Sequence, residues 1–205
     1  MPAIRSQVLE VIREAYPETG DAVTPTEPLG ENLFIGPTPH PNEVLNLLIQ
    51  QKVTSALPMA YYMAARRGVD SLMDKGLPKS SMLSAEVLQS AVKGVVALRE
   101  LELNEAHRFI LGTTDSHPCC CKAKGPRASD FHQKAIDRIV NPSQSGTRVL
   151  RVLSLNDICG GGPDEFCVSC VNRWEAEHAE VREKAWKMLP EVFGLDSPIC
   201  TASSM

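Results

Sequence analysis

The last third of the chain contains one long amphipathic segment, and it constrains the fold more than any other stretch. It opens at a Cys-x-x-Cys pair, and positions three or four residues apart then form an apolar stripe made of Cys167, Cys170, Trp174, His178, Val181, Ala185 and Met188. Such spacing is typical of a helix that buries one face. Because that face needs a covering, we predict that earlier helices fold back against it.

The composition favours the same class of fold. Aromatic residues make up only 5% of a chain that is 43% hydrophobic, so the core must depend on aliphatic side chains, which favour helices over sheets. With 205 residues the chain is long enough to bury a core. We predict an all-α fold, an irregular helical bundle with long loops, as a single domain over residues 1–195. The stretch 20–41 is predicted to be a long Pro-rich loop, and 196–205 a disordered tail.

Shorter helices are predicted before the middle of the chain. The first covers residues 6–16, and the second follows Asn42 as its N-cap and takes its apolar face from Val44 through Leu57. Pro58 lies in the first turn of a third helix, over 59–67, and a short fourth helix covers 69–75. The paired Tyr61 and Tyr62 are expected to lie half in the core and half at an exposed rim.

A longer helix is predicted after Ser84, which suits the N-cap position. Its apolar stripe is formed by Leu88, Ala91, Val95 and Leu98, and the stripe loses its phase near Glu102. A bend is therefore expected after that point. In the final helix, Glu180 precedes Lys184 by four residues, so the two are predicted to form an ion pair.

Charge and hydropathy limit the classes of partner. The formal net charge of −4 argues against broad binding to nucleic acids or anionic membranes, since both need a basic surface. No apolar run approaches the length that spans a bilayer, and the first residues lack the pattern of a signal peptide. The sequence predicts an intracellular protein, in the cytoplasm or the nucleus.

The seven cysteines are the only residues that suggest a chemistry. In a reducing compartment clustered thiols ligate metal, carry out redox reactions or pack as small hydrophobic groups. Zinc needs four ligands at tetrahedral corners, and a Cys-x-x-Cys pair at a helix start supplies two of them. The cluster at 119–121 can supply the others, which gives a candidate structural zinc site of Cys119, Cys121, Cys167 and Cys170. His117 with Cys120 is an alternative second pair, and buried packing thiols are the alternative to metal binding.

Several segments together resemble a known family. These are the C-terminal stretch with Trp174, Trp186, Leu189-Pro190 and Phe193-Gly194-Leu195, the segment Leu57-Pro58-Met59-Ala60-Tyr61-Tyr62, and the pair Tyr16-Pro17. In their order along the chain, they are similar to the helical C-terminal region of fungal BTB/POZ-domain proteins of basidiomycetes. The family's BTB domain, which would precede Pro2, is absent from this sequence. The crowded cysteines at 119–121 also depart from the wider spacing in the family.

The resemblance implies a non-enzymatic module that binds other proteins as an adaptor. No catalytic residue is predicted: Asp115, Ser116 and His117 are of the types found in a triad, but consecutive residues cannot align as nucleophile, base and orienting group. The competing hypothesis is a thiol-redox or metal-dependent protein that uses Cys167 and Cys170. A third alternative is a poorly folding gene fragment.

Overall fold

A computed structural model describes residues 10, 39–66, 68–74, 76–106, 150 and 168–195. Every regular element among them is helical, which confirms the predicted all-α class for this part of the chain. The elements are α1 (Pro41–Gln51), α2 (Leu57–Ala65), α3 (Val69–Leu72), a 3-10 turn (Lys79–Ser81), α4 (Ala85–Leu101), a π-helical turn (Glu102–Ala106) and α5 (Val168–Val192). The predicted helix at 6–16 lies outside the described residues except for Glu10, which is helical.

The described residues fall into two compact units. The first contains the residues up to Ala97 together with those from Lys187 onwards, and the second runs from Leu98 to Trp186. The prediction of one domain over 1–195 stays a prediction.

Helix α1 begins two residues earlier than the sequence suggested. Its N-cap is His40, whose ring Nδ1 accepts a hydrogen bond from the Asn42 backbone N–H at 3.3 Å. Asn42 as N-cap was therefore wrong. The physical reason is Pro41, which has no N–H and a fixed φ suited to the first helical position, so the cap must precede it. The helix stops at Lys52, whose backbone is left-handed with φ of 55°.

Helix α2 is buried on all sides, because all but one of its residues lie in the core. Pro58 stands in its first turn as predicted. Tyr61 and Tyr62 are only 5% and 2% exposed, so the expectation of a half-exposed pair was wrong. A helix without a polar face has no side to turn toward water.

The C-terminal end of α5 packs in the first unit against helices from the middle of the chain. The Phe193 ring stacks on Tyr61, with ring centroids 5.0 Å apart and planes inclined by 23°. The same ring also lies against the backbone of α4 at Gly94, where an added Cβ atom would overlap the ring. Gly94 is thus the position on α4 that admits the ring. Phe193 is 1% exposed and Leu189 is fully buried, so this end of the helix belongs to the core.

Helix α4 follows its predicted pattern. The Ser84 Oγ accepts a hydrogen bond from the Val87 N–H at 3.4 Å, and Ala91, Val95 and Leu98 are buried. The loss of phase near Glu102 coincides with the π-helical turn, in which a wider helical turn shifts the buried face. The expected bend after this turn lies outside the described residues.

In the second unit the apolar face of α5 is confirmed. Trp174, His178, Val181 and Ala185 are all buried along it. They lie at intervals of three and four residues, as the sequence pattern required. No helix among the described residues is long and apolar enough to cross a membrane.

Candidate functional site

The predicted cysteine site lies outside the described residues. Cys119, Cys121 and Cys167 are not among them, and Cys170 is described only as part of the α5 backbone. Within the described ranges, no three His, Cys, Asp or Glu side chains come together in a way that could hold a metal. The zinc site of these four cysteines therefore stays a prediction.

The best-defined polar cluster among the described residues joins α1 to the 3-10 turn. The Glu43 carboxylate Oε1 accepts hydrogen bonds from the Ser80 hydroxyl at 2.8 Å and the Ser81 hydroxyl at 2.9 Å. One turn further along α1, the Asn46 side-chain amide donates to the backbone carbonyls of Ser80 at 2.9 Å and Met82 at 3.0 Å. We call this set of four hydrogen bonds the clamp.

The hydrogen bonds of the clamp change the pKa of the Glu43 carboxylate. Hydrogen bonds from Ser80 and Ser81 stabilise the ionised form and lower the pKa of Glu43 below its ordinary value of 4.5. Glu43 is therefore a carboxylate at neutral pH. Because it is only partly buried, it binds the turn without the large desolvation cost that a deeply buried charge would carry.

Two exposed apolar side chains lie where the clamp holds the turn. Met82 follows the 3-10 turn and is 63% exposed, while Leu47 is the next residue after Asn46 and is 36% exposed. The bond from Asn46 to the Met82 carbonyl places the Met82 backbone against the part of α1 that carries Leu47. We call these two side chains, with their polar neighbours Glu43, Asn46 and Ser80, the Leu47–Met82 surface.

Sequence reasoning missed this surface. The signal available was weak, since Glu43, Asn46 and Leu47 share a helix face by their spacing of three and four, and the segment Pro78-Lys79-Ser80-Ser81 reads as a turn. Nothing in the sequence indicated that the turn folds back 34 to 38 residues onto α1, as the clamp bonds show. Such long-range pairing of polar groups has no periodic pattern.

The second unit contains buried ionisable groups, and their visible contacts are structural. Glu102, in the π-helical turn, is 3% exposed and pairs with Arg99 at 3.0 Å. Glu105 of the same turn pairs with Lys184 of α5 at 2.5 Å, although the spacing had predicted Glu180 as the partner of Lys184. This pair connects α5 to the π-helical turn across 79 residues of chain.

On α5 itself, two polar side chains sit along the buried face. The ring of His178 lies 5.2 Å from the Trp174 ring, one helical turn away, and His178 is 3% exposed. Burial lowers the pKa of the Arg182 guanidinium, whose Nε has no hydrogen-bond partner within the described ranges. These groups lie along the packed face of the helix.

Comparison with known proteins adds no family to these observations. No protein-family model, no curated protein and no solved structure matches the chain.

Proposed function

We propose that the protein is a non-enzymatic helical module that binds other proteins through the Leu47–Met82 surface. The observation that carries the proposal is the clamp, which holds the backbone of the exposed Met82 against the part of α1 that carries the exposed Leu47. A centre of apolar groups with a polar rim is the usual anatomy of a protein interface. The Met side chain is flexible and polarizable, which suits it to contact apolar groups of varied shape.

The clamp supports this proposal because it fixes the surface before any partner arrives. A turn held by four hydrogen bonds loses less conformational entropy on binding than a free loop would lose. Single exposed apolar residues are common on proteins and need no explanation. Here a bond between distant parts of the chain fixes the Met82 backbone against Asn46, the residue that precedes Leu47.

The resemblance to the helical C-terminal region of fungal BTB proteins favours the same class of function, and membership of that group is part of the proposal. In this account the zinc ion of Cys119, Cys121, Cys167 and Cys170 is a structural staple. Sequence features favour a site of action inside the cell, in the cytoplasm or the nucleus.

The residues that carry the resemblance have a physical role in the described fold. Tyr61, Leu189 and Phe193 are buried in the first unit, and Trp174 is buried in the second. They are packing residues, so the resemblance supports a similar helical core. Binding is assigned to the exposed side chains instead.

The test is affinity capture with the full chain and matched variants. Met82→Ala and Leu47→Ala remove side chains of the proposed surface, while Met73→Ala and Val96→Ala remove side chains that are 58% and 51% exposed elsewhere in the first unit. A partner bound at this surface should be lost or weakened roughly fivefold or more by the first two variants, the loss typical of a contact at the centre of an interface. It should be retained by the control variants. A partner that is captured equally by all four variants would contradict the proposal.

A further inference from the structure

The two serines of the clamp differ sharply in their accessibility. Both hydroxyls donate to the same oxygen of Glu43, at 2.8 Å from Ser80 and 2.9 Å from Ser81. Ser80 is exposed, whereas Ser81 is fully buried. One hydroxyl of the clamp can therefore be reached from solvent while the other is shielded.

The segment that would have to open to present this hydroxyl to an enzyme is short. The 3-10 turn contains only Lys79, Ser80 and Ser81, and its two flanking residues, Pro78 and Met82, are already extended. Lys79 directly precedes Ser80, so a basic side chain stands next to the acceptor hydroxyl in the sequence. Opening a single short turn exposes the whole segment.

We propose that Ser80 is a phosphoacceptor and that its phosphorylation opens the clamp, which would regulate the Leu47–Met82 surface. This inference depends on the proposed function for its biological meaning. In the reaction, the γ-phosphoryl group of a nucleoside triphosphate passes to Ser80 Oγ. The bond from the γ-phosphorus to its bridging oxygen breaks, a phosphorus–Oγ bond forms, the hydroxyl proton leaves to a base of the kinase, and nucleoside diphosphate is released.

Phosphorylation of Ser80 would add negative charge beside the Glu43 carboxylate. A phosphoserine carries close to two negative charges at neutral pH and has no hydroxyl proton to donate. It would stand beside the ionised Glu43 carboxylate, at a place where the unmodified hydroxyl now donates a bond of 2.8 Å. An attractive contact becomes a repulsive one, and the turn that carries Met82 separates from α1.

The first part of the test concerns the acceptor. The full chain is incubated with ATP and serine kinases that prefer basic residues, and the modified positions are mapped by mass spectrometry. Phosphate is expected on Ser80 and absent from Ser81, and the Ser80→Ala variant should lose that modified peptide. A chain in which Ser80 stays unmodified, or in which Ser81 is modified in its place, would overturn the proposal.

The second part concerns the opening of the clamp and needs no binding partner. Phosphoserine is installed at position 80 in the natural chain and in the Glu43→Gln variant, and amide hydrogen exchange of Met82, whose N–H donates to the Lys79 carbonyl, is followed by NMR. Phosphorylation should speed exchange about tenfold beside the Glu43 carboxylate and much less beside glutamine, because the repulsion requires both charges.

Equal acceleration in both backgrounds, or no acceleration, would overturn the regulatory inference. The proposed function would then still stand or fall on the capture experiment with Met82→Ala and Leu47→Ala. The two failures are therefore distinguishable.

Discussion

At the scale of single residues, the described part of the chain contains several polar bonds between positions far apart in the sequence. Glu43 illustrates them, since one carboxylate oxygen accepts two serine hydroxyls from a turn almost forty residues away. Sequence reasoning found residues whose role is local, such as Ser84 at the start of α4. It missed Glu43 and Ser80, because their pairing depends on how the chain returns to α1.

The clamp predicts a pH dependence of stability with a definite sign. Hydrogen bonds from Ser80 and Ser81 lower the pKa of Glu43 in the folded state, so the unfolded state binds the proton more tightly. The stabilisation is fully present above the ordinary value of 4.5 and is lost as pH falls through the lower folded-state pKa. Denaturant unfolding from pH 7 to pH 3 should show the advantage of the natural chain over Glu43→Gln shrinking below pH 4.5. A constant difference would contradict this role.

Asn42 makes a second prediction at this scale. Its side chain is 1% exposed, and neither its amide nitrogen nor its carbonyl oxygen has a hydrogen-bond partner within the described part of the chain. Leaving such a group unsatisfied costs about 1–3 kcal/mol. Leucine has the same branching as asparagine without the polar atoms, so Asn42→Leu should raise the free energy of unfolding by a similar amount.

The control for that substitution is Leu45→Ala on the same helix. Leu45 is fully buried, and its truncation should lower the free energy of unfolding by about 2–5 kcal/mol. Urea titration of both variants makes the measurement. A large loss of stability in Asn42→Leu would mean that the amide is bonded in solution.

At the scale of elements, the sequence predicted most of the helices and less well their ends. The spacing of Ala91, Val95 and Leu98 identified the buried face of α4, and the loss of that spacing marked the π-helical turn. The start of α1 was misplaced, because histidine is not among the favoured N-caps while asparagine is. The spacing of apolar residues shows which face of a helix is buried. It does not show which other helix covers that face.

Gly94 tests how α4 and the end of α5 pack. Alanine favours helices over glycine by up to about 1 kcal/mol, so Gly94→Ala at an ordinary helical position would stabilise the protein. Here the added Cβ would overlap the Phe193 ring. Overpacking of this kind costs about 1–3 kcal/mol, so we expect a net loss of stability in thermal or urea unfolding.

A matched pair of variants separates this clash from other effects of alanine. Gly76→Ala meets only the flexible Asp74 side chain at 3.2 Å and should change stability little. Adding Phe193→Leu to Gly94→Ala should cost less than the sum of the two single changes, because the smaller side chain relieves the overlap. If the changes in unfolding free energy caused by Gly94→Ala and Phe193→Leu simply add, the Phe193 ring does not lie against Gly94.

At the scale of the whole molecule, two long-range inferences had different outcomes. The expectation that earlier helices fold back against the final helix agrees with the stacking of Phe193 on Tyr61 in the first unit. The expectation that the cysteine cluster meets the Cys-x-x-Cys pair falls on residues outside the described ranges. A large apolar ring is stabilised by burial, so some other part of the chain is expected to cover it. Two cysteine pairs gain no comparable stabilisation from meeting when no metal is present.

The zinc hypothesis is tested by metal analysis of the full chain purified without added zinc. If Cys119, Cys121, Cys167 and Cys170 form the staple, about one zinc per chain should be found, and a chelator should lower the stability. Replacing Cys121 by serine should release the metal, whereas replacing Cys200 by serine should not. Protein that contains no metal after this purification would contradict the structural zinc site.

The central claim is that Met82 stands on a preformed surface and is covered by a protein partner. Methyl NMR of methionine in the full chain tests it, with a soluble paramagnetic agent to broaden exposed methyl groups. In the free chain Met82 and Met73 should be broadened while the buried Met59 and Met63 are protected, and a captured partner should protect Met82 alone. A Met82 methyl that is shielded in the free chain, or still broadened in the complex, would contradict the claim.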